Sequence, residues 1–275
     1  MQTKANQAFA KVPAATLGFW VVKILATTLG ETAGDALTMS WFGETTNDPL
    51  FADGHWGYLY GTLLLSLPLL VMILAQIRAQ RFHPWLYWGT ILAATTAGTT
   101  LADFCTRFLG EGTVESYFLR SALLLTCVLA SLFMWHRMLG SISIESVRGP
   151  KAEGFYWTTI SLSQTLGTAL GDWTADTSWQ GTALGFTGGA MVFGAMLIGI
   201  ALLYWRTKIS RAGLFWAAFI LTRPLGATLG DWMDKPIAKG GFDISRPLAS
   251  ALLLLAIALC LWIWPQRAAN ANAAH

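Results

Sequence analysis

The chain has 275 residues, of which 54% are hydrophobic and 12% charged, with a formal net charge of +3. A soluble domain carries about 25% charge, so the composition excludes an ordinary soluble domain and points to lipid. Three scattered cysteines, Cys105, Cys127 and Cys260, show neither a paired framework nor CxxC spacing and read as packing residues.

Residues 1–12 form a polar, basic leader without a secretory cleavage pattern. Pro13 suits the first turn of a helix. A first span is predicted over 14–38, since ~20 residues cross a hydrocarbon core. A polar loop with Glu44, Asp48 and Asp53 leads to a more apolar span, 57–77, which Pro68 is expected to kink. The pattern returns at 85–104 and 117–137. The polar stretch 141–154 reads as a cytoplasmic linker between two halves, 1–140 and 155–267. The second half holds predicted helices at 155–173, 182–205, 213–232 and 247–264, and the tail 268–275 is expected to be disordered.

One stretch occurs four times without a gap: FWVVKILATTLGETAGD (19–35), YWGTILAATTAGTTLAD (87–103), YWTTISLSQTLGTALGD (156–172) and FWAAFILTRPLGATLGD (215–231). Internal repeats of this kind set the architecture. Each copy opens on an aromatic and a Trp (Trp20, Trp88, Trp157, Trp216) and closes on Asp35, Asp103, Asp172 or Asp231. Each repeat holds two spans, so the motif helices all run in one direction. The predicted fold is all-α integral membrane, with eight transmembrane helices as four parallel helical-hairpin repeats around a pseudo-symmetry axis normal to the membrane. Eleven basic residues and two acids fall on one side of that arrangement, five basic residues and eight acids on the other. The positive-inside rule then places both termini in the cytoplasm.

Residues four apart share a helix face. A polar stripe therefore leads to each Asp: Lys23, Thr27 and Glu31; Thr95 and Thr99; Gln164 and Thr168; Arg223 and Ala227. Beside it runs a small pair, Gly30/Gly34, Gly98/Ala102, Gly167/Gly171 and Gly226/Gly230. Small residues at this spacing let helices approach closely in lipid, so the motif helices are expected at the centre and the companions around them. With each Trp at the cytoplasmic interface, the Asp fifteen residues on lies about 22 Å deeper at ~1.5 Å per residue. An ionised Asp facing lipid costs roughly 3 kcal/mol, and crowded carboxylates ionise together only beside a cation. The four Asp are thus expected to surround a cation or proton site with Glu31, Thr27, Thr99, Thr168 and Gln164. The competing reading makes each Gly-Asp a helix cap bonded to loop amides.

Lys23 and Glu31 stand two turns apart and could pair, while Arg223 would neutralise part of the cluster or hold a substrate anion. Beyond the Asp lie Thr38, Met39, Asn47, Thr106, Arg107, Asp176, Asp234 and Lys235. The pairs Asp172/Asp176 and Asp231/Asp234 either extend a cation path or are solvated loop acids, and the solvated reading is preferred. Oxygen ligands suit manganese or calcium, whereas His and Cys would suit zinc or copper. His55, His83 and His136 read as interfacial histidines. The fourteen Trp read mostly as an interfacial belt, and Trp173 and Trp232 as packing.

The string ETAGDALT (31–38) resembles the acidic E-x-G-D signature of the manganese/calcium cation exporters of bacteria and the Golgi. Ala36 stands where those proteins carry Lys or Arg, and they hold two motifs in inverted halves, so the likeness is one of chemistry. Across the whole chain, the four GD repeats resemble a poorly characterised bacterial family of multi-pass membrane-anchored proteins, which implies membrane residence; the expected location is the bacterial inner membrane. The expected function is cation transport, with efflux of a divalent metal such as manganese and the buried Asp binding the ion or a coupling proton. The alternatives are a proton-coupled carrier of a small solute and a structural or regulatory membrane protein. No nucleophile or His/Asp constellation suggests an enzyme. The expected partners are the bilayer, the cation and protons, with no nucleic acid and no covalent cofactor. The four motifs meet either within one chain or across a homodimer.

Overall fold

The computed structural model describes residues 10–43, 56–108, 115–177 and 181–269. The leader's first nine residues, the loop acids Glu44, Asp48 and Asp53, Asn47, His55 and residues 270–275 lie outside them, as does the side chain of Arg107. Eight long helices are described: α1 Leu17–Asp35, α2 Trp56–Arg78, α3 Pro84–Phe108, α4 Glu115–Leu139, α5 Pro150–Ala175, α6 Gly185–Arg206, α7 Arg211–Asp234 and α8 Arg246–Ile263. Among the described residues α2, α4, α6, α7 and α8 are long and apolar enough to cross a membrane. α1 passes at Asp35 into a π-helical turn, Ala36–Trp41. α2 runs through Pro68 and α7 through Pro224 without a break. α5 begins at Pro150, inside the expected linker, because Pro is favoured in a first helical turn. Pro13 opens no helix: it pairs with Ala268 as an isolated bridge, and Thr16 caps α1 by accepting from the Phe19 amide.

The motif helices α1, α3, α5 and α7 close into a ring, α1 against α3, α3 against α5, α5 against α7 and α7 against α1. Two sets of contacts repeat around it. The opening aromatic of each copy packs on the Trp of the next: Phe19 on Trp88, Tyr87 on Trp157, Tyr156 on Trp216 and Phe215 on Trp20, with ring centres 5.4–5.9 Å apart. The glycines of each helix seat the stripe of the next. Gly30 and Gly34 face Thr95 and Thr99, and Gly98 faces Gln164. Gly167 and Gly171 face Arg223 and Ala227, and Gly226 and Gly230 face Thr27 and Glu31. Ala102 is the departure from the expected pattern of bare backbone. It closes the α3 pair one turn beyond Gly98 with a methyl group, and that methyl is buried, with the residue 1% exposed. Glycine therefore serves seven of the eight small positions, and the α3–α5 interface has a single glycine seat, at Gly98. This register makes the four helices parallel, so the ring has a Trp end and an Asp end. Stripe hydroxyls are satisfied inside it. Thr95 donates to the Ala26 carbonyl at 3.3 Å and Thr27 to the Thr222 carbonyl at 3.0 Å, the same step at two interfaces. Internal partners of this kind are what a polar side chain needs where water is absent.

The companions pack chiefly against a motif helix other than their own. α2 lies on α3, α4 on α5, α6 on α7 and α8 on α1. The packing hairpins are thus offset by one helix from the expected ones. For α2 and α6 connection length explains it. Residues 79–83 and 207–210 are tight links at the Trp end, and short links make antiparallel neighbours. The α4–α5 connection, residues 140–149, is longer and contains the 3-10 turn Ile144–Ser146, yet α4 still lies on α5. α8 and α1 have no covalent link, but the Ala14 amide donates to Arg267 and the Ala269 amide to Val12, closing the fourth pair.

Three of the four motif Trp are core rather than belt residues, and the fourth, Trp20, is half-buried. Trp88, Trp157 and Trp216 are buried, with Trp135 of α4 among them. They join Phe19, Tyr87, Tyr156 and Phe215 in an aromatic layer across the Trp end, where the Tyr87 and Tyr156 hydroxyls lie 2.6 Å apart. Belt-like exposure belongs to Trp41, Trp56, Trp85, Trp205, Trp262 and Trp264. Lys11 closes the same end. It donates to the carbonyls of Gln76, Ile77 and Ala79 and meets buried Glu153 at 2.6 Å. Lys11→Met leaves that carboxylate without its cation and is expected to cost about 2 kcal/mol. A thermal melt in detergent reads it, and Glu153→Gln in the same chain is expected to restore most of the loss.

Candidate functional site

The stripes stack into polar layers inside the ring. Lys23 stands alone in an otherwise apolar layer, with Ile91, Ile160 and Phe219 at the equivalent positions, all fully buried. Its Nζ takes no hydrogen bond and sits 4.2 Å from the centre of the Phe219 ring. Lys23 therefore does not pair with Glu31. One turn on come Thr27, Thr95, Gln164 and Arg223, all at 0% exposure, with both ends of the Gln164 amide lacking a hydrogen-bond partner.

Arg223 fills the next layer. Its Nη2 lies 3.0 Å from Glu31 Oε2 and 2.5 Å from the hydroxyls of Thr99 and Thr168, and Nη1 donates to the Thr27 carbonyl. One guanidinium thus reaches all three other ring helices. The fourth place in that layer is Ala227, small enough to leave room. Arg223 serves Glu31 rather than standing free for an anion. The pairing is Arg223 with Glu31 because Gly230 lets α7 seat Glu31 closely, whereas Lys23 is two turns away.

Above it the carboxylates gather. Oxygens of Glu31, Asp172 and Asp231 lie within 4.8 Å of one another, as do those of Asp35, Asp231 and Asp234. Asp103, next to Ala102, is buried but belongs to neither trio. Three of the four motif Asp therefore meet in one chain. Asp234 is not a solvated loop acid: it is buried, because Lys235 and Arg246 fold over it. Lys235 Nζ pairs with Asp35, with Asp231 at 2.8 Å and with Asp234 at 3.4 Å. Arg246 Nε stands 3.4 Å from Asp234 and 4.0 Å from Asp35. Asp35 Oδ1, although buried, accepts no hydrogen bond. Burial by itself lowers the Lys235 pKa, but Asp231, Asp35 and Asp234 outweigh it and hold it well above the usual lysine value.

The remaining candidates lie apart. Thr38 bonds back to the Gly34 carbonyl, and Asp176 is only half-buried, in neither trio. Trp173 packs on Phe118 and Trp232 on Phe242. His83 and His136 are exposed near the Trp end. Two crevices of about 680 and 580 Å³ are lined mainly by apolar side chains and open on the outer face, away from the stripes. On the cationic side of the cluster, Arg223 neutralises carboxylate charge as the sequence suggests, and Lys235 stands among the candidates beyond the Asp, while Arg246 is the residue that the sequence reading missed. Lys235 carries a local signal, one turn after Asp231 at a helix end, while Arg246 arrives from another helix and carries none.

Comparison with curated proteins and with solved structures finds no match. A family model, by contrast, matches four times, over residues 18–82, 86–138, 155–210 and 214–268, each match taking one motif helix and the companion that follows it. The chain therefore belongs to the family built on the Repeat of Unknown Function DUF347.

Proposed function

We propose that the chain is a multi-pass membrane protein that moves a cation across the bilayer, with the carboxylate cluster as its ion seat. All eight helices span, the ring axis lies along the membrane normal, and the Trp end faces the cytoplasm. The asymmetry of basic residues supports that orientation. One observation carries the reading. Five carboxylates, Glu31, Asp35, Asp172, Asp231 and Asp234, share the cluster with three cationic groups, Arg223, Lys235 and Arg246. Fully ionised, the cluster has an excess of two negative charges, the complement of one divalent cation or two protons. Its donors are all oxygen, which favours a hard divalent ion such as manganese. Efflux of that ion is the working direction.

Asp172 makes no ion pair with a basic side chain among the described residues, so Asp172→Asn tests the seat with the least structural damage. Reconstituted in liposomes, this variant is expected to lose at least tenfold in manganese flux while melting like the parent. Flux that ignores manganese but follows a pH gradient would move the assignment to proton-coupled solute transport. Unchanged metal tolerance and cell manganese in Asn variants at all four motif Asp would remove the ion seat altogether and leave a structural role.

A further inference from the structure

Within that ion-seat reading, we infer that Lys235 is a tethered stand-in for the transported cation, an internal competitor that the ion displaces to bind. The ammonium of Lys235 already does what a bound cation would do: it sits against carboxylates from α1 and α7 and touches Asp35, Asp231 and Asp234 at once. The seat still has an unused donor, since Asp35 Oδ1 is 1% exposed by residue and has no hydrogen-bond partner. An ion replacing the ammonium would find that oxygen waiting, together with the Asp231 carboxylate that the second trio shares.

The geometry also shows how the place would be vacated. The backbone around Lys235 is fastened down: the Phe242 amide donates to Trp232, the Asp243 amide to Lys235 and the Ile244 amide to Met233. The loop need not move. Rotation of one flexible side chain suffices, and that side chain is 17% exposed at the Asp end, so an outward swing is open to it. Arg246, the other cation facing the group, holds Asp234 and Asp35 from α8 and stays behind to limit repulsion among the emptied carboxylates. Arg223 is the wrong residue for this part, being fully buried and held by three helices.

A structural lysine and a competing one differ in what removal does. If Lys235 only stabilises the fold, Lys235→Met weakens the protein and leaves metal affinity alone or lowers it. If it competes, Lys235→Met binds manganese more tightly. Titration calorimetry of the purified full chain with manganese chloride is expected to show at least tenfold tighter binding for Lys235→Met. Lys235→Arg should remain close to the parent, and so should Lys239→Met, an exposed lysine on the same loop. A second readout needs no variant: saturating manganese should speed modification of Lys235 by an amine-reactive acylating reagent, read by mass spectrometry, with Lys239 unchanged. Should Lys235→Met not fold, that labelling decides the matter. A parent that binds manganese, with Lys235 labelling unmoved and no gain in Lys235→Met, overturns the competitor and spares the ion seat. Absence of manganese binding in the parent and in both Lys235 variants overturns both.

Discussion

Arg223→Met is expected to cost roughly 3–5 kcal/mol, the range for breaking a buried ion pair by removing one partner. The guanidinium is fully buried, and its loss strands the buried Glu31 carboxylate inside the bundle. It also removes the donor that Thr99 and Thr168 share, so three helices lose their common contact together. The cost comes from the orphaned charge more than from the pair itself, since a buried pair replaced whole by apolar or neutral groups is often tolerated. Arg223→Met combined with Glu31→Gln is therefore expected to recover most of the loss. Thermal unfolding of the four proteins of that cycle, in one detergent, measures the coupling. A parent-like melt for Arg223→Met alone would mean that Glu31 had found another cation, with Lys23 the nearest on its own stripe.

Gly226→Val is expected to prevent folding or to lower stability by ~3 kcal/mol or more, beyond the usual cost of overpacking. A Cβ there would run into the Thr27 side chain and lie 2.7 Å from the Thr27 backbone carbonyl carbon, which no rotamer change can clear. The α1–α7 contact must open, and with it the seats of Thr27 and Glu31 beside Gly226 and Gly230. Gly199→Ala is the matched control. Gly199 on α6 has nothing within 4 Å of its added methyl, so that change should fall within about 0.5 kcal/mol of the parent. Yield of folded, monodisperse protein and its melting temperature read both. Equal tolerance of the two substitutions would show that the ring helices do not pack as closely as their glycines allow.

What the sequence discloses here follows from physical range. The glycine pair and the polar stripe are local patterns, set by helical spacing within one segment, and they locate the ring interface correctly. The string ETAGD also spaces Glu31 and Asp35 four apart, one more than an E-x-G-D motif, which is what puts both on one stripe. The packing partners of α2 and α6 were readable too, but in loop length rather than in the repeat, whereas α4 lies on α5 across the longer link 140–149. Residues 79–83 are too few to let α2 and α3 separate, whereas the long stretch after Asp35 allows α2 to step away from α1. The motif Trp misled, because an aromatic at a helix end serves an interface or a core equally well, and only the neighbouring copy of the motif decides which. The partners of the carboxylates were the hardest part. Arg223 with Glu31 joins residues 192 positions apart, and Lys235 with Asp35 joins residues 200 apart, distances over which spacing carries no information.

Three of the four packing pairs are joined by peptide bonds, and the fourth, α8 with α1, by two backbone hydrogen bonds between the chain's ends. The polypeptide is therefore circular in all but covalent connection, and no helix pair holds a privileged position as first or last. A chain opened between α4 and α5 and sealed between residues 269 and 10 would trace the same closed circuit.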